Sequence, residues 1–520
     1  MTSDSTDGRA RGIAAGYDTA GQALELGTVV VDGVADPAAR VRIPLATVNR
    51  HGLVAGATGT GKTKSLQVLA EQLSAAGVPV LMADVKGDLS GLARPGEAGG
   101  KIAERAADTG DDWAPTAYPV EFLSLGTGGV GVPVRATVSS FGPILLSKVL
   151  GLNQTQESTL GLIFHWADQK GLPLLDLKDL RSVIHFLTSD EGKPELKALG
   201  AVSSSTAGVI LRALINLEAE GADTFFGEPE FETDDLLRCH ADGRGIVTLL
   251  ELGGSATRPV LFSTFLMWVL ADLFTTLPEV GDLDKPKLVF FFDEAHLLFA
   301  DASKAFLEQV EQTVKLIRSK GVGVFFCTQL PTDVPAGVLS QLGARIQHAL
   351  RAFTPDDEKA LRKTVRTYPK TDVYDLQSAL STLGIGEAIV TVLSEKGIPT
   401  PVAWTRMRAP RSLMDTIGTE AIAAAAATSP LQVEYGQTID RESAYERLAA
   451  RLEPPAEELP PVPPPYDIPP MPAPAPEPKM FEKVIDSPAF KSAMRSAGTV
   501  IGREITRSIF GTGRRRRRRR

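Results

Sequence analysis

Two cysteines in 520 residues are too few for a disulfide framework. Cys239 and Cys327 lie far apart in the sequence, without the close pairing in which zinc ligands occur. Because stable disulfides belong to oxidising compartments, their absence fits a reducing one. We therefore expect a cytoplasmic protein without a structural zinc site.

The sequence also has no long uninterrupted apolar run and no uniform basic charge. Residues 1–11 are polar, whereas a signal peptide needs an apolar core. The longest apolar stretch, residues 260–277, is interrupted by Asp272, so an amphipathic helix explains it better than a membrane span. The net charge of −8 excludes a global field that draws the whole chain to nucleic acid. We expect no integral membrane segment.

What the sequence does contain is a repeated alternation of apolar runs and helical segments. Several runs lack polar alternation, as strands buried on both faces do. This pattern predicts an α/β fold with a mostly parallel sheet. The expected strands are residues 53–55, 78–83, 120–123, 245–250, 288–292, 322–327, 346–350 and 388–393.

Changes of composition divide the chain into seven segments. Residues 453–479 contain thirteen prolines and predict an extended linker. The expected segments are a short irregular lead-in with one strand-like run (1–45), the first part of the core (46–138), a mainly helical insertion (139–235), the second part of the core (236–410), a helical segment (411–452), the proline-rich linker (453–479), and an amphipathic helix with a poly-arginine tail (480–520).

The most specific motif is a phosphate-binding loop that matches G-x-x-x-x-G-K-[ST] at every specified position. An apolar strand enters it and a helical segment leaves it. Its glycines let backbone N–H groups converge on a phosphate, Lys62 adds a positive charge, and the Thr63 hydroxyl is a Mg²⁺ ligand. The loop consists of Gly56, Ala57, Thr58, Gly59, Thr60, Gly61, Lys62 and Thr63.

A second motif, Asp293-Glu294, ends the apolar run of residues 288–292. Such a run delivers its last residues to the carboxyl edge of a sheet, where ligands of α/β proteins bind. We predict that Asp293 holds Mg²⁺ and that Glu294 is the general base for an attacking water. The alternative is that both acids cap the helix that follows.

An adjacent glutamate suits activation of water, which a small-molecule kinase must exclude. This pattern favours hydrolysis over phosphoryl transfer to a small molecule. The guanine-reading sequence N-K-x-D does not occur in the chain, so ATP is the predicted nucleotide.

Two further polar positions follow apolar runs. Gln329 is a candidate to contact the γ-phosphate or the water, and a helix cap or turn explains it equally well. Asp88 is a candidate member of the water and magnesium network, against the alternative of a solvated turn rich in Asp and Gly.

Taken together in this order, the motifs resemble the HerA–FtsK superfamily of P-loop ATPases, most nearly bacterial HerA-like proteins that lack a full N-terminal barrel. The resemblance covers roughly residues 10–410. It rests on the loop at 56–63, DVKGDLSGLA at 84–93, FFDEAHLLF at 291–299, TQLP at 328–331, GARIQHALRAFTPDD at 343–357 and PTPVAWTRMRAP at 399–410. The segment before the first core strand is too short for the complete β-barrel domain of archaeal HerA.

The resemblance implies a RecA-like core that works as a ring, a hexamer, and moves DNA as a translocase or helicase. It implies that Gln329 is a sensor and that an arginine of a neighbouring subunit reaches the γ-phosphate. Arg351 is the first choice by motif position, ahead of Arg345 and Arg318. An ordinary surface ion pair is the alternative for Arg351.

The chain ends in seven consecutive arginines, residues 514–520. A flexible linker carrying this charge is expected to bind a polyanion such as nucleic acid, with membrane docking or a merely solubilising end as alternatives. The competing interpretation of the whole chain is an ATP-regulated protein scaffold or protein-remodelling ATPase.

Overall fold

The computed structural model describes residues 3–126, 129–198, 203–251, 259–281, 283–299 and 304–452. All of these residues belong to one compact unit, residues 1–454. The predicted proline-rich linker, the amphipathic helix and the poly-arginine tail lie outside the described residues.

Twelve strands form one sheet within the described residues. Their bounds are β1 Ala23–Val31, β2 Val34–Pro44, β3 Gly52–Ala55, β4 Val80–Asp84, β5 Val120–Leu125, β6 Val132–Val134, β7 Val247–Glu251, β8 Leu288–Phe292, β9 Val322–Thr328, β10 Ala344–Gln347, β11 Glu387–Thr391 and β12 Ala403–Met407.

The order across the sheet is β2-β1-β12-β11-β10-β3-β9-β8-β4-β7-β5-β6. The strands from β10 to β6 in this order are parallel, and the four on the β2 side are antiparallel to their neighbours. Each of the eight predicted apolar runs overlaps a strand, which confirms the α/β, mostly parallel fold. The architecture is that of a RecA-like P-loop NTPase core.

Seventeen helices accompany the sheet in the described part of the chain. They are α1 Ser3–Ala14, α2 Lys62–Ala75, α3 Gly100–Thr109, α4 Val138–Val149, α5 Gln154–Gln169, α6 Leu177–Thr188, α7 Lys193–Ala198, α8 Ser204–Ala219, α9 Pro259–Thr276, α10 His296–Phe299, α11 Lys304–Ile317, α12 Ala336–Leu339, α13 Pro355–Val365, α14 Leu376–Thr382, α15 Thr419–Thr428, α16 Pro430–Tyr435 and α17 Ala444–Leu452.

Two hydrophobic cores cover the two faces of the sheet, and β8 shows why its sequence is apolar throughout. Leu288, Phe290 and Phe292 pack into one core, which includes residues of helices α4 to α6, α8, α9 and α11. Val289 and Phe291 pack into the other, which includes residues of α1, α2 and α15. Because neighbouring side chains of a strand point to opposite faces, both sets of positions must be apolar.

The N-terminal segment differs from its prediction. The sequence predicted one strand-like run within residues 1–45. The structure instead contains a helix and the hairpin β1–β2, which joins the main sheet through β12. The register of the hairpin shifts twice, and β2 includes Pro37. Pro is tolerated on an edge strand because an outward N–H is not needed there. These irregularities hide the alternation that a sequence pattern relies on.

Helix α9 contains the longest apolar stretch of the chain, and most of its described side chains are buried in the first of the two cores. No helix among the described residues combines the length and hydropathy that crossing a bilayer requires.

Phe291→Ala is expected to lower the free energy of unfolding by about 3–5 kcal/mol, because it leaves a cavity between sheet and helices. The Phe291 side chain is buried, and its ring centroid lies 5.2 Å from that of Phe325. The matched control is Phe353→Ala, where the side chain is 87% exposed and a change within about 0.5 kcal/mol is expected. Denaturant unfolding measures both, and equal losses in the two variants would contradict the assignment of Phe291 to the core.

Candidate active site at the carboxyl edge of the sheet

The predicted phosphate-binding loop lies between β3 and α2 and is tied to both neighbouring strands. The Gly56 N–H donates to the Thr328 carbonyl at 3.2 Å, and the Ala57 N–H donates to the Ala349 carbonyl at 2.8 Å. Gly61 has a φ of 110°, a value that favours glycine, and helix α2 begins at the next residue. The loop therefore places the positive end of α2 at the carboxyl edge of the sheet.

Lys62 is the charged group of this loop. Its side chain is buried, with 8% exposed, and its Nζ donates to the carbonyls of Gly56 at 2.7 Å and Ala57 at 3.1 Å. An ammonium has three donors, so one remains available for a phosphate oxygen. In the described residues no carboxylate lies within 4 Å of Nζ. A buried cation without a carboxylate partner favours an anionic ligand.

Asp293 follows β8 directly and is 3% exposed. Its Oδ1 accepts the Glu294 N–H at 2.9 Å, while its Oδ2 has no hydrogen-bond partner among the described residues. Burial raises the pKa of this carboxyl above its usual range. A buried carboxylate oxygen without a partner fits a site for Mg²⁺ or a water bound to it, so the donor set of Thr63 and Asp293 suits the metal.

Glu294 occupies a strained turn after β8. Its φ of 48° lies in the left-handed region, which a non-glycine residue adopts infrequently. Its Oε1 accepts a hydrogen bond from the Lys86 ammonium, and its Oε2 lies 3.3 Å from Nδ1 of His296. Burial alone would raise the pKa of Glu294, but Lys86, His296 and Lys62 together lower it below its usual range.

Both motifs are hydrogen-bonded to the end of β9, because the Gly56 N–H donates to the Thr328 carbonyl at 3.2 Å and the Ala295 N–H donates to the Cys327 carbonyl at 2.7 Å. The structure thus brings the two strongest motifs of the sequence together at one edge of the sheet. Strand β9 separates β3 from β8 and ends beside both motifs.

The loop after β4 is shaped by Asp84, a fully buried carboxylate. Asp84 accepts the N–H groups of Lys86 at 3.2 Å, Gly87 at 2.7 Å and Leu89 at 2.9 Å. Burial and the charges of Asp88 and Asp293 raise its pKa to about 6. Because these bonds fix the loop, they also fix the backbone position from which Lys86 reaches Glu294.

Asp88 is half-buried in the same loop, and its Oδ1 has no hydrogen-bond partner in the part of the chain described. Glu251 ends the neighbouring strand β7, and burial followed by the charge of Asp84 raises its pKa to about 8. The carboxyl edge is therefore rich in acids, and a bound cation would relieve their repulsion. A role of Asp88 in the water network stays a prediction.

Gln329 follows the end of β9 and is exposed on the same edge. Asp333 fixes the turn around it by accepting from the Thr328 hydroxyl at 2.7 Å and the Leu330 N–H at 2.9 Å. The Gln329 side chain makes no cap hydrogen bond within the described residues. Its position is compatible with contact to a γ-phosphate, and this contact stays a prediction.

The three candidate arginines do not lie together. Arg351 is exposed two residues after Ala349, whose carbonyl holds the phosphate-binding loop, so it belongs to the carboxyl edge. Arg345 lies on β10 and Arg318 immediately after α11, at the edge where strands β9 and β10 begin. Among the described residues Arg351 makes no ion pair. Which arginine acts between subunits stays a prediction.

Several residues of the site were not identified from the sequence. Lys86 was recognised only as part of a motif, and its partner Glu294 lies 208 positions away. His348 links α2 to the end of the sheet near β11. Its Nε2 is 2.9 Å from the Ser65 hydroxyl on α2, and its Nδ1 is 2.8 Å from the Glu387 carbonyl on β11. Burial lowers the pKa of His348 to about 4, so it stays neutral at pH 7.

Comparison with known proteins agrees with this architecture. A family model described as "Helicase HerA-like C-terminal" matches residues 31–518. No curated protein sequence matches the chain. The match to the family confirms the resemblance found in the motifs.

Solved structures resemble the chain in fold. The bacterial conjugative coupling protein TrwBdeltaN70, in an unbound form, has a TM-score of 0.50 at 16% identity, covering 78% of this chain and 94% of its own. The plasmid coupling protein TrwB in complex with ADP and Mg²⁺ has a TM-score of 0.50 at 17% identity, with the same coverage of 78% and 94%. VirB4 of Thermoanaerobacter pseudethanolicus has a TM-score of 0.46 at 15% identity, covering 75% and 97%.

Lys62→Ala is expected to weaken binding of a magnesium nucleotide roughly 10- to 100-fold in Kd, because it removes a charge-assisted hydrogen bond to phosphate. Titration calorimetry with a nonhydrolysable ATP analogue measures the change. Lys101→Ala, an exposed lysine on α3, is the matched control and should keep the Kd of the unaltered chain. An unchanged Kd in Lys62→Ala would show that the loop does not bind phosphate.

Proposed function

The chain belongs to the Helicase HerA-like C-terminal family, and from this premise we propose that it is an ATP-hydrolysing, ring-forming motor that moves DNA as a translocase or helicase. The observation that carries the hydrolytic part is that the end of β9 holds both the phosphate-binding loop and the turn with Asp293 and Glu294 at one edge of the sheet. The family and the fold of the TrwB neighbours support the motor class.

In this proposal the chain's own groups bind and orient the triphosphate. Backbone N–H groups at the start of α2 and the Lys62 ammonium hold the β- and γ-phosphates. Thr63 and Asp293 would hold Mg²⁺, which supplies positive charge between the phosphate oxygens when bound. TrwB itself has been solved with ADP and Mg²⁺, which supports this choice of ligand and metal.

Glu294 accepts the proton of the water that attacks the γ-phosphorus. Its carboxylate suits this task because Lys86, His296 and Lys62 keep its pKa low despite burial, so it is ionised at pH 7. Gln329, which follows β9, orients the same water or contacts the γ-phosphate and so senses whether it is present. In a homohexamer, Arg351 is the first candidate to stabilise the transition state from a neighbouring copy.

DNA is the proposed substrate of movement, and the chain is expected to hydrolyse ATP several-fold faster when DNA is added. Steady-state ATPase rates with and without duplex DNA at low salt test this, because electrostatic contacts to phosphate weaken as salt rises. Solution mass with a nonhydrolysable analogue should reach about six times the 55.4 kDa of one chain. An unchanged rate together with no DNA binding would refute the translocase. Stimulation by unfolded polypeptide instead would favour the protein-remodelling alternative.

Glu294→Gln is the control within that experiment. It should bind ATP as the unaltered chain does while turnover falls by at least about 100-fold, since only water activation is lost. Glu220→Gln, at an exposed position after α8, should leave the rate unchanged.

Lys86→Met is expected to move the acidic limb of the pH–rate profile to higher pH. Burial raises the pKa of Glu294 and Lys86 opposes it, so removing Lys86 raises that pKa. Because the base acts only when deprotonated, activity should then be lost at a higher pH on acidification. Lys86→Arg keeps the charge and should keep the limb near its original position. A limb that does not move in Lys86→Met would exclude Glu294 as the titrating base.

A further inference from the structure

A second cavity lies at the opposite edge of the sheet from the phosphate-binding loop. It has a volume of about 640 Å³ and is bordered by residues that precede β3 and β10 and by the end of α11. Strand β9 runs from this edge to the loop, and its seven residues set the two sites roughly 20 Å apart at 3.3 Å per residue. We call it the basic cleft.

The basic cleft is lined by four cations and no acid. Arg50, Lys315, Arg318 and Arg345 contribute to its wall, whereas no Asp or Glu does. The Nη1 of Arg345 donates to the Thr367 carbonyl at 3.3 Å, which orients that side chain. Among the described residues, Lys315, Arg318 and Arg345 have no carboxylate within 4 Å. The chain as a whole is acidic, so this concentration of positive charge is local.

The floor of the basic cleft is neutral. His51 is buried there, and its Nδ1 accepts the Val324 N–H at 3.0 Å, which leaves the ring proton on Nε2. Burial, together with the charge of Arg318, lowers the pKa of His51 to about 4. Gln341 adds an uncharged donor to the wall, because its Nε2 uses one N–H on the Ser340 hydroxyl at 3.0 Å and keeps the other. The cleft thus combines cations with a neutral amide donor.

We propose that the basic cleft binds the sugar–phosphate backbone of a nucleic acid without sequence preference. Lys315, Arg318 and Arg345 have no carboxylate partner among the described residues, and an anion with several phosphates would relieve the repulsion of these like charges at more than one position. The cavity is larger than one phosphate needs and falls within the size range of nucleotide-sized ligands. Arginine, lysine, serine and glutamine are the side chains that contact phosphate and sugar oxygens in such complexes.

This inference rests on the proposed function only in the choice of nucleic acid as the partner, since the site is separate from the hydrolytic one. The poly-arginine tail is a second candidate polyanion binder, so its contribution must be removed in the test. The 520-residue chain with Arg514–Arg520 replaced by serine is the background in which the cleft variants are compared.

The test measures DNA binding by fluorescence anisotropy. The probes are labelled DNAs of unrelated sequence, a single strand of 20 nucleotides and a duplex of 20 base pairs. Binding is measured without added ATP over a range of salt concentrations. Lys315→Gln with Arg318→Gln changes two exposed cations of the rim. Losing two phosphate contacts should weaken binding roughly 10- to 100-fold and lower the slope of log K against log salt by about 2. Lys193→Gln with Lys304→Gln, exposed positions outside the cleft, removes the same charge and should bind as the background does.

Three results would overturn the proposal. One is equal affinity in the cleft variant and its matched control. Another is binding of sodium tripolyphosphate, detected by its thermal stabilisation of the chain, without binding of either DNA. The third is loss of self-association in the cleft variant with DNA affinity unchanged, which would assign the cleft to a second copy of the chain. Absence of ATP turnover in the unaltered chain would count against the proposed function and leave this binding result intact.

Discussion

The proposed nucleotide site at the carboxyl edge of the sheet depends on one charge, the Lys62 ammonium. It is buried, held by two carbonyls of its own loop, and faces no carboxylate within 4 Å among the described residues. Such a group is costly in a protein interior unless an anion is bound there. The strands on either side of β3 hold the loop around it, and the acids at the end of β8 lie within its field. In the proposed function, this buried charge contributes to the binding of a triphosphate.

A cluster of acids lies at the carboxyl edge of the sheet, and a cluster of cations lies at the opposite edge. The carboxyl edge contains Asp84, Glu251, Asp293 and Glu294, and burial raises the pKa of the first three. The other edge carries the basic cleft, where cations need an anion. Parallel strands make this arrangement possible because all of their carboxyl ends lie on one side. Nucleotide chemistry and polyanion binding can thus be separated within one sheet.

Much of the core was predictable because buried parallel strands need apolar residues at every position. The run at 288–292 and its two terminal acids show this: the strand, its direction and the location of Asp293 follow from the residues alone. The hairpin β1–β2 was not predictable in the same way, since bulges and Pro37 break its alternation. The contact of Lys86 with Glu294 joins two loops far apart in the sequence, and only the fold brings them together. The hydrogen bond between His348 and Ser65 likewise joins residues 283 positions apart.

A structure determined with Mg²⁺ and a nonhydrolysable ATP analogue would show where the nucleotide binds. We expect the β- and γ-phosphates over the start of α2, within hydrogen-bond distance of Lys62 Nζ, with the metal between Thr63 and Asp293 and a water between the γ-phosphate and Glu294. A nucleotide bound elsewhere, or one bound at the loop with Asp293 and Glu294 turned away from its phosphates, would contradict this expectation.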